Sequence, residues 1–246
     1  THTQMNTNER VQFLGSAEQL QKRRISESTN SFYRIYRHGN TLRFPYYNAS
    51  GQVVGFKIKT KSKDFHYEGA SSDQLFGQHL FPTSGKRIVI TEGELDAASC
   101  YEVMSGWPMV SLPHGAAAAK KDLQKAIPFL QGYQEIVLFF DNDEAGREAV
   151  ESASSILPAG RVKIARLDAY KDASDALQAD DKDAIRRAIW DAKPYRPDGI
   201  VDGKNLMSLV TEPTKTCDHE YPFEGLNNKL HGIRYGELTT LTAGSG

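Results

Sequence analysis

Four short apolar runs, each separated from the next by a stretch of helical periodicity, constrain this chain more than any other feature of its sequence. They are RIVIT at 87–91, MVSL at 109–112, EIVLFF at 135–140 and RVKIARL at 161–167. The segments between them read as helices: one to about Met104, an Ala-rich one from Ala116, and one over 143–157. In the last, Ala149, Val150, Ala153, Ile156 and Leu157 recur at helical spacing, and Pro158 and Gly160 end it. A further helix is expected over 180–192. Near-continuous apolar strands joined by helices make a parallel α/β sheet, buried on both faces.

A different pattern precedes this sheet. Residues 18–37 read as a short helix and a turn, with Ser26, Glu27 and Asn30 supplying cap chemistry. TLRFPYY and VVGFKIKTKSKDF read as strands joined by a hairpin turn at Asn48–Gly51. The expected fold is therefore a parallel sheet flanked by helices over 87–192, preceded by a smaller basic α+β subdomain over 1–86. Pro194, Pro197 and Gly199 open a linker over 193–222, with a short helix expected over 201–211, and a new unit begins at 223.

Net charge is −1, but its distribution is uneven. Residues 1–90 hold 13 Lys and Arg against 6 Asp and Glu, and residues 91–246 hold 17 against 25. A basic front and an acidic rear suit a chain that grips a polyanion with one part and metal with the other. Surface scatter is the plain alternative. Two cysteines, Cys100 and Cys217, and seven scattered histidines argue against a disulfide framework or a zinc enzyme. No apolar run approaches the roughly 20 residues that cross a bilayer, and the polar start lacks the layout of a secretory signal. The expected compartment is the cytoplasm.

Ligands of an open α/β sheet bind beyond the carboxyl ends of its strands. The first strand here ends at Glu92 and the third at Asp141–Asn142–Asp143, so three carboxylates are expected at one edge. Asp172 and Asp175 follow the fourth strand. Crowded carboxylates repel unless a cation neutralises them, and all-oxygen ligands suit Mg²⁺ or Mn²⁺. Taken alone, D-x-D is also a helix N-cap with first-turn acids, and T-E-G-E a solvated turn. The joint pattern is narrower: apolar strand, E-G-E, about fifty residues, apolar strand, D-x-D-x-x-G.

VITEGELDA, LFFDNDEAGREA and KDASDAL resemble the TOPRIM domain of bacterial-type primases, topoisomerases and some nucleases. SLPHGAAAAKK, DQLFGQHLF and LPAGRVKIA bring the resemblance closer to the bifunctional primase-helicases of short-tailed bacteriophages and to Twinkle. It runs from about Leu20 to the C-terminal end. The resemblance implies a DNA primase that makes short RNA primers on single-stranded DNA from NTPs by two-metal nucleotidyl transfer. It implies that Glu92 is catalytic, that Asp141 and Asp143 bind metal with Glu92, and that Asp96 and Asp172 are further acids of the site. It also implies a helicase domain on the same polypeptide, a hexameric or heptameric ring, a replicative DNA polymerase as partner, and the host cytoplasm if the source is viral.

Lys57, Lys59, Lys61 and Lys63 alternate along one expected strand and its exit, which puts them on one side. They read either as a row facing phosphates or as protection of an edge strand; the resemblance matches Lys57 and Lys63 to nucleotide-contacting lysines. Arg34, Arg37 and Arg43, interleaved with Phe32, Tyr33, Tyr36, Phe44 and Tyr46, read as a single-strand path or, for the aromatics, as core. His114 lies in a P-H-G loop after the second strand, placed near nucleotide or merely satisfied in the loop.

Phe223–Leu226 and Gly236–Thr242 resemble the start of a RecA-type helicase domain. Ala243–Gly246 would begin a phosphate loop whose Gly-Lys-Ser/Thr half is missing, so ATP-driven unwinding is not expected of this sequence. The helix over 201–211 resembles the family's linker helix, which packs on a neighbouring subunit. No cysteine cluster matches the family's zinc-binding domain. Two rival readings remain: a single-strand clamp of a Twinkle-like helicase that has lost priming, and other TOPRIM chemistry. The start of a helicase domain disfavours a nuclease, and a topoisomerase needs a tyrosine in a separate DNA-gate domain.

Overall fold

The structure is a computed structural model that describes residues 13–196 except 63 and 71, and 217–242 except 237, 239 and 241. The chain divides into two compact units, 1–197 and 198–246. The expected helix over 201–211, the phosphate-loop start at 243–246 and Lys63 lie outside the described residues.

The first unit holds two sheets. After a 3₁₀ turn at Gln21–Arg23 comes helix α1 (Glu27–Tyr33), capped by Ser26 Oγ, which accepts the Thr29 amide. Strands β1 (Tyr36–His38), β2 (Thr41–Tyr47), β3 (Val53–Lys59) and β4 (Phe65–Gly69) form an antiparallel sheet in chain order. The Asn48 side chain builds the hairpin turn by accepting the amides of Ser50 and Gln52, and Gly51 supplies the left-handed residue (φ 74°).

The expected strand over 53–65 is two strands. Thr60, Ser62 and Asp64 bond to one another through their side chains and close a turn between β3 and β4. The lysine row is therefore broken: Lys57 and Lys59 stay on β3, whereas Lys61 sits in the turn.

The second sheet has the order β6–β5–β7–β8–β9. Its strands are β5 (Gly85–Thr91), β6 (Met109–Ser111), β7 (Tyr133–Phe139), β8 (Val162–Ile164) and β9 (Lys193–Pro194). The first four are mutually parallel, and β9 is a short antiparallel edge strand that sequence reading did not anticipate. The crossovers carry α2 (Glu94–Val103), α3 (Ala119–Leu130), α4 (Glu144–Ser154), α5 (Ala173–Gln178) and α6 (Lys182–Trp190).

Alternate residues of the central strands serve opposite faces. Ile88, Ile90, Ile136 and Leu138 meet α3 and α4 through Leu123, Ala126, Ala149 and Val150. Val89 and Val137 meet α2, α5 and α6 through Leu95, Ala98, Leu177, Ile185 and Ile189. These strands are covered on both sides, which explains why they read as unbroken apolar runs.

The second core continues into the antiparallel region. Tyr33, Ile35, Phe44, Tyr46 and Phe76 belong to it, Phe32 stacks on Tyr101 at 4.4 Å, and Tyr33 Oη donates to the Met109 carbonyl at 2.7 Å. Tyr33, Phe44 and Tyr46 are thus core, and the two sheets share one hydrophobic interior. Truncating a side chain such as Phe44 would remove about 3–5 kcal/mol.

In the second unit, helix Glu224–Leu230 is tied to the preceding chain by Asn227, whose side-chain amide bonds both backbone groups of Tyr221. Among the described residues, no helix is long and apolar enough to cross a membrane.

Candidate metal and nucleotide site

Parallel strands bring their carboxyl ends to one edge, and the acids gather there. Glu92 follows β5, Asp141 and Asp143 follow β7, Asp96 lies in the first turn of α2, and Asp172 caps α5 after β8. Three helix N-termini point their free amides at this rim, which favours negative charge.

Backbone amides take one oxygen from several of these carboxylates. Asp143 Oδ1 accepts Gly146 N at 3.0 Å, Asp172 Oδ1 accepts Asp175 N at 2.6 Å, and Asp96 Oδ1 accepts Ser174 N at 3.0 Å. Each side chain is held rigid with its second oxygen uncommitted to those amides. The glycine of D-x-D-x-x-G has a steric cause: a Cβ on Gly146 would lie 2.0 Å from the Asp141 carbonyl oxygen. Gly93 likewise lets Asp96 Oδ2 approach within 2.8 Å of where a Cβ would be.

Among the described residues, Asp96, Asp141 and Asp172 form a group whose ligand oxygens all lie within 4.8 Å of one another. Glu92 and Asp143 border this group. Glu92 Oε1 accepts Ala116 N at 3.4 Å, and Glu92 Oε2 is buried with no hydrogen-bond partner. Lys171 Nζ lies 3.1 Å from both Asp141 Oδ2 and Asp143 Oδ2.

The electrostatics are those of acids short of a counter-charge. Burial, then Asp172 and Asp141, hold the Asp96 carboxyl well above the usual range. Burial also raises Asp141 and Glu92, with neighbouring carboxylates adding to the effect. Asp143 is instead lowered by the Gly146 amide and Lys171. An all-oxygen cluster, an orphaned buried carboxylate oxygen and an ammonium drawn between two acids fit a hard divalent cation.

The basic residues are distributed less simply. Lys57 is buried: its ammonium bonds Glu94 Oε1 at 2.7 Å and the Pro113 carbonyl at 3.0 Å, and lies over the Phe65 ring. Tyr46 Oη donates to the same Glu94 oxygen at 2.6 Å. The lysine is thus engaged between β3, the start of α2 and the loop after β6 and does not stand free at the surface. Arg43 is likewise engaged: it is 4% exposed, paired with Glu68 and stacked on Phe56. Arg34 is exposed, near Tyr47 Oη and over Phe13. His114 is fixed by Asp122, which bonds both its ring and its amide. Its loop runs on into Gly115 and Ala116, beside Glu92.

Lys59 remains, and it lines a cleft of about 450 Å³ with residues that sequence reading missed. Arg23, Lys59 and Phe65 line it together with Asp96, Lys171 and Asp172. Arg23 also donates to Ser174 Oγ at 2.7 Å. Lys171 had a signal in the sequence, since it adjoins Asp172 in KDASDAL. Arg23 and Phe65 had none, because only the meeting of the two sheets brings them to the acids.

Residues 89–177 match the family model described as Toprim-like. The chain is 40% identical over 208 residues to the DNA helicase/primase of Enterobacteria phage T3, covering 82% of this chain and 36% of that protein. It is 27% identical over 220 residues to the chloroplastic/mitochondrial Twinkle homolog protein of Arabidopsis thaliana, covering 78% and 30%. The chain therefore spans about a third of the length of these curated relatives. The crystal structure of the primase fragment of the bacteriophage T7 primase-helicase superposes with a TM-score of 0.67 at 37% identity, covering 72% of this chain and 74% of that one. The T7 lagging-strand polymerase complex, with primase domains of two gp4 subunits bound to an RNA/DNA hybrid and dTTP, gives the same score and identity over 74% and 93%. With a Toprim-like core and this likeness to the T7 primase, the chain belongs to the TOPRIM primase family of bacteriophage-type primase-helicases, relatives of Twinkle.

Proposed function

We propose that this chain is the primer-synthesising part of a primase-helicase, a nucleotidyltransferase that copies single-stranded DNA into short RNA primers. The observation that carries this reading is the convergence of Asp96, Asp141 and Asp172 within 4.8 Å, with Asp96 and Asp172 lining a cleft that also holds Arg23 and Lys59. Family membership supports it; a clamp that had lost priming would have no use for an intact acid cluster.

In this reading Asp96, Asp141 and Asp172 hold Mg²⁺ or Mn²⁺, and Asp143 offers a further oxygen beside them. When bound, the cation lowers the pKa of the attacking 3′-hydroxyl and offsets charge on the α-phosphate and the departing pyrophosphate. Glu92 accepts the hydroxyl proton; burial, then Asp141, raises its carboxyl above the ordinary glutamate value, which makes it a better proton acceptor. Lys59 and Arg23 bind phosphate oxygens across the cleft.

A second groove, of about 850 Å³, shares Arg23 and Lys59 with the cleft and adds Lys22, Arg37 and Lys61. A basic groove that runs on from the acids suits the backbone of a template strand. For the whole protein the reading adds a helicase domain on the same polypeptide and a replicative DNA polymerase, supported by the T3 helicase/primase and the T7 polymerase complex, and assembly into a ring of several subunits.

The test is template-dependent synthesis from labelled NTPs on a panel of single-stranded oligonucleotides, with Mg²⁺ present or withheld. Short RNA products are expected with metal and none without it. Tight single-strand binding with no RNA made on any template would overturn the reading.

A further inference from the structure

We infer that Lys171 is the resident counter-ion of the acid rim: its ammonium neutralises Asp141 and Asp143 until a divalent cation displaces it, and then serves the phosphates of the incoming nucleotide. The inference rests on the metal reading above and assigns a role to a residue that this reading leaves unused.

Four observations support it. Lys171 Nζ stands 3.1 Å from Asp141 Oδ2 and 3.1 Å from Asp143 Oδ2, a seat for positive charge between the two acids of D-x-D. On Asp143 it takes the oxygen that the helix cap leaves over, since Oδ1 is occupied by the Gly146 amide. Its backbone is anchored while its head is free to leave. The Lys171 carbonyl accepts Asn142 N at 2.8 Å, the Asn142 side chain donates to the Leu167 carbonyl at 2.9 Å, and the next residue, Asp172, caps α5. The lysine side chain itself is 54% exposed. Finally, Lys171 lines the same cleft as Arg23 and Lys59, so a displaced ammonium remains among the groups that face phosphate.

Physical chemistry sets the order of events. A half-exposed pair of one ammonium with two carboxylates is weak, and a divalent cation that engages several carboxylate oxygens competes it away. Until then the lysine limits repulsion among acids that are crowded at the rim. The arrangement also imposes a cost on metal affinity. If the pair is closed for about nine-tenths of the time, only about a tenth of molecules are ready to bind, and apparent affinity falls about tenfold.

The experiment is Mn²⁺ binding to the whole chain without nucleotide, read from the paramagnetic resonance of free Mn²⁺. It compares wild type, Lys171→Met, Lys171→Arg, Lys59→Met and Asp141→Ala. Lys59→Met removes an equal charge from the same cleft and so measures through-space electrostatics alone. Lys171→Met is expected to bind about tenfold tighter than wild type, Lys59→Met much less so, Lys171→Arg no tighter, and Asp141→Ala to lose the site. In parallel, labelling of Lys171 with an amine-reactive ester, followed by mass spectrometry, is expected to rise several-fold when Mn²⁺ is added to wild type. If binding is lost in Asp141→Ala but Lys171→Met behaves like Lys59→Met, displacement is wrong while the metal site stands. If no Asp141-dependent binding is found in any variant, the metal reading falls and displacement falls with it.

Discussion

The parallel and antiparallel sheets of the first unit handle charge in opposite ways. At the rim of the parallel sheet, Glu92, Asp96 and Asp141 stand close together, raised by burial and by neighbouring carboxylates, and the half-exposed Lys171 pairs with Asp141 and Asp143. On the antiparallel sheet the cations are largely consumed: Lys57 by Glu94 and Pro113, Arg43 by Glu68. The rim spends folding energy to keep charge available, whereas the other sheet uses charge to join itself to its neighbour. Function is therefore to be sought where charge is uncompensated, not where it is most abundant.

The largest effect that would break this contrast comes from the rim. Asp141→Ala is expected to lower primer synthesis at least about 10³-fold, a loss of about 4 kcal/mol or more of transition-state stabilisation. Its melting temperature should stay near that of wild type but no longer rise on adding Mg²⁺. Retained synthesis would leave the rim without its assigned role.

Next comes the buried pair. Removing one partner, as in Lys57→Met or Glu94→Gln, strands the other inside the protein and should cost about 3–5 kcal/mol in urea unfolding. The double variant should cost less than the sum of the two. A stable Lys57→Met that binds nucleotide poorly would return Lys57 to the phosphate-contacting role expected from sequence.

Lys59→Met sharpens the contrast from the other side, because Lys59 stands in the cleft over the Phe65 ring and not in a buried ion pair like that of Lys57. Its stability should change by less than about 0.5 kcal/mol, while KM for NTP rises several-fold and single-strand affinity becomes less steeply dependent on salt.

The smallest effect concerns His79, which stacks on Tyr47 at 3.6 Å. Burial, then Arg34, lowers its pKa to about 4. The folded state therefore binds this proton less readily than the unfolded chain. Stability from this residue is full above about pH 6.5 and falls as pH drops toward 4. His79→Phe should flatten the acid side of the stability curve in that window, as read by melting temperature against pH.

The sequence made the rim legible for a topological reason. RIVIT and EIVLFF are buried on both faces, parallel strands must end at one edge, and the residues that follow them must meet there. Glu92, Asp141 and the acids after the fourth strand, Asp172 among them, needed no knowledge of tertiary contacts, whereas Asp96 is identified only by resemblance to the family. That Asp96 and Asp172, more than Glu92 and Asp143, cluster with Asp141 was not legible. It depends on which carboxylate oxygens the amides of Gly146, Ser174 and Asp175 take. The lysine row failed on local chemistry, because Thr60, Ser62 and Asp64 make a turn without glycine or proline. The Lys57 pair was hidden by distance: its partner Glu94 lies 37 residues away, at the start of α2. Helix α5, six residues long, is too short to show a helical period.

The most direct test of the central claim is crystallographic: crystals soaked in Mn²⁺, with anomalous scattering used to locate the ion. The account predicts a manganese peak within coordination distance of Asp96, Asp141 and Asp172, with the Lys171 ammonium withdrawn. A peak elsewhere, or none at this rim at saturating Mn²⁺, would contradict it.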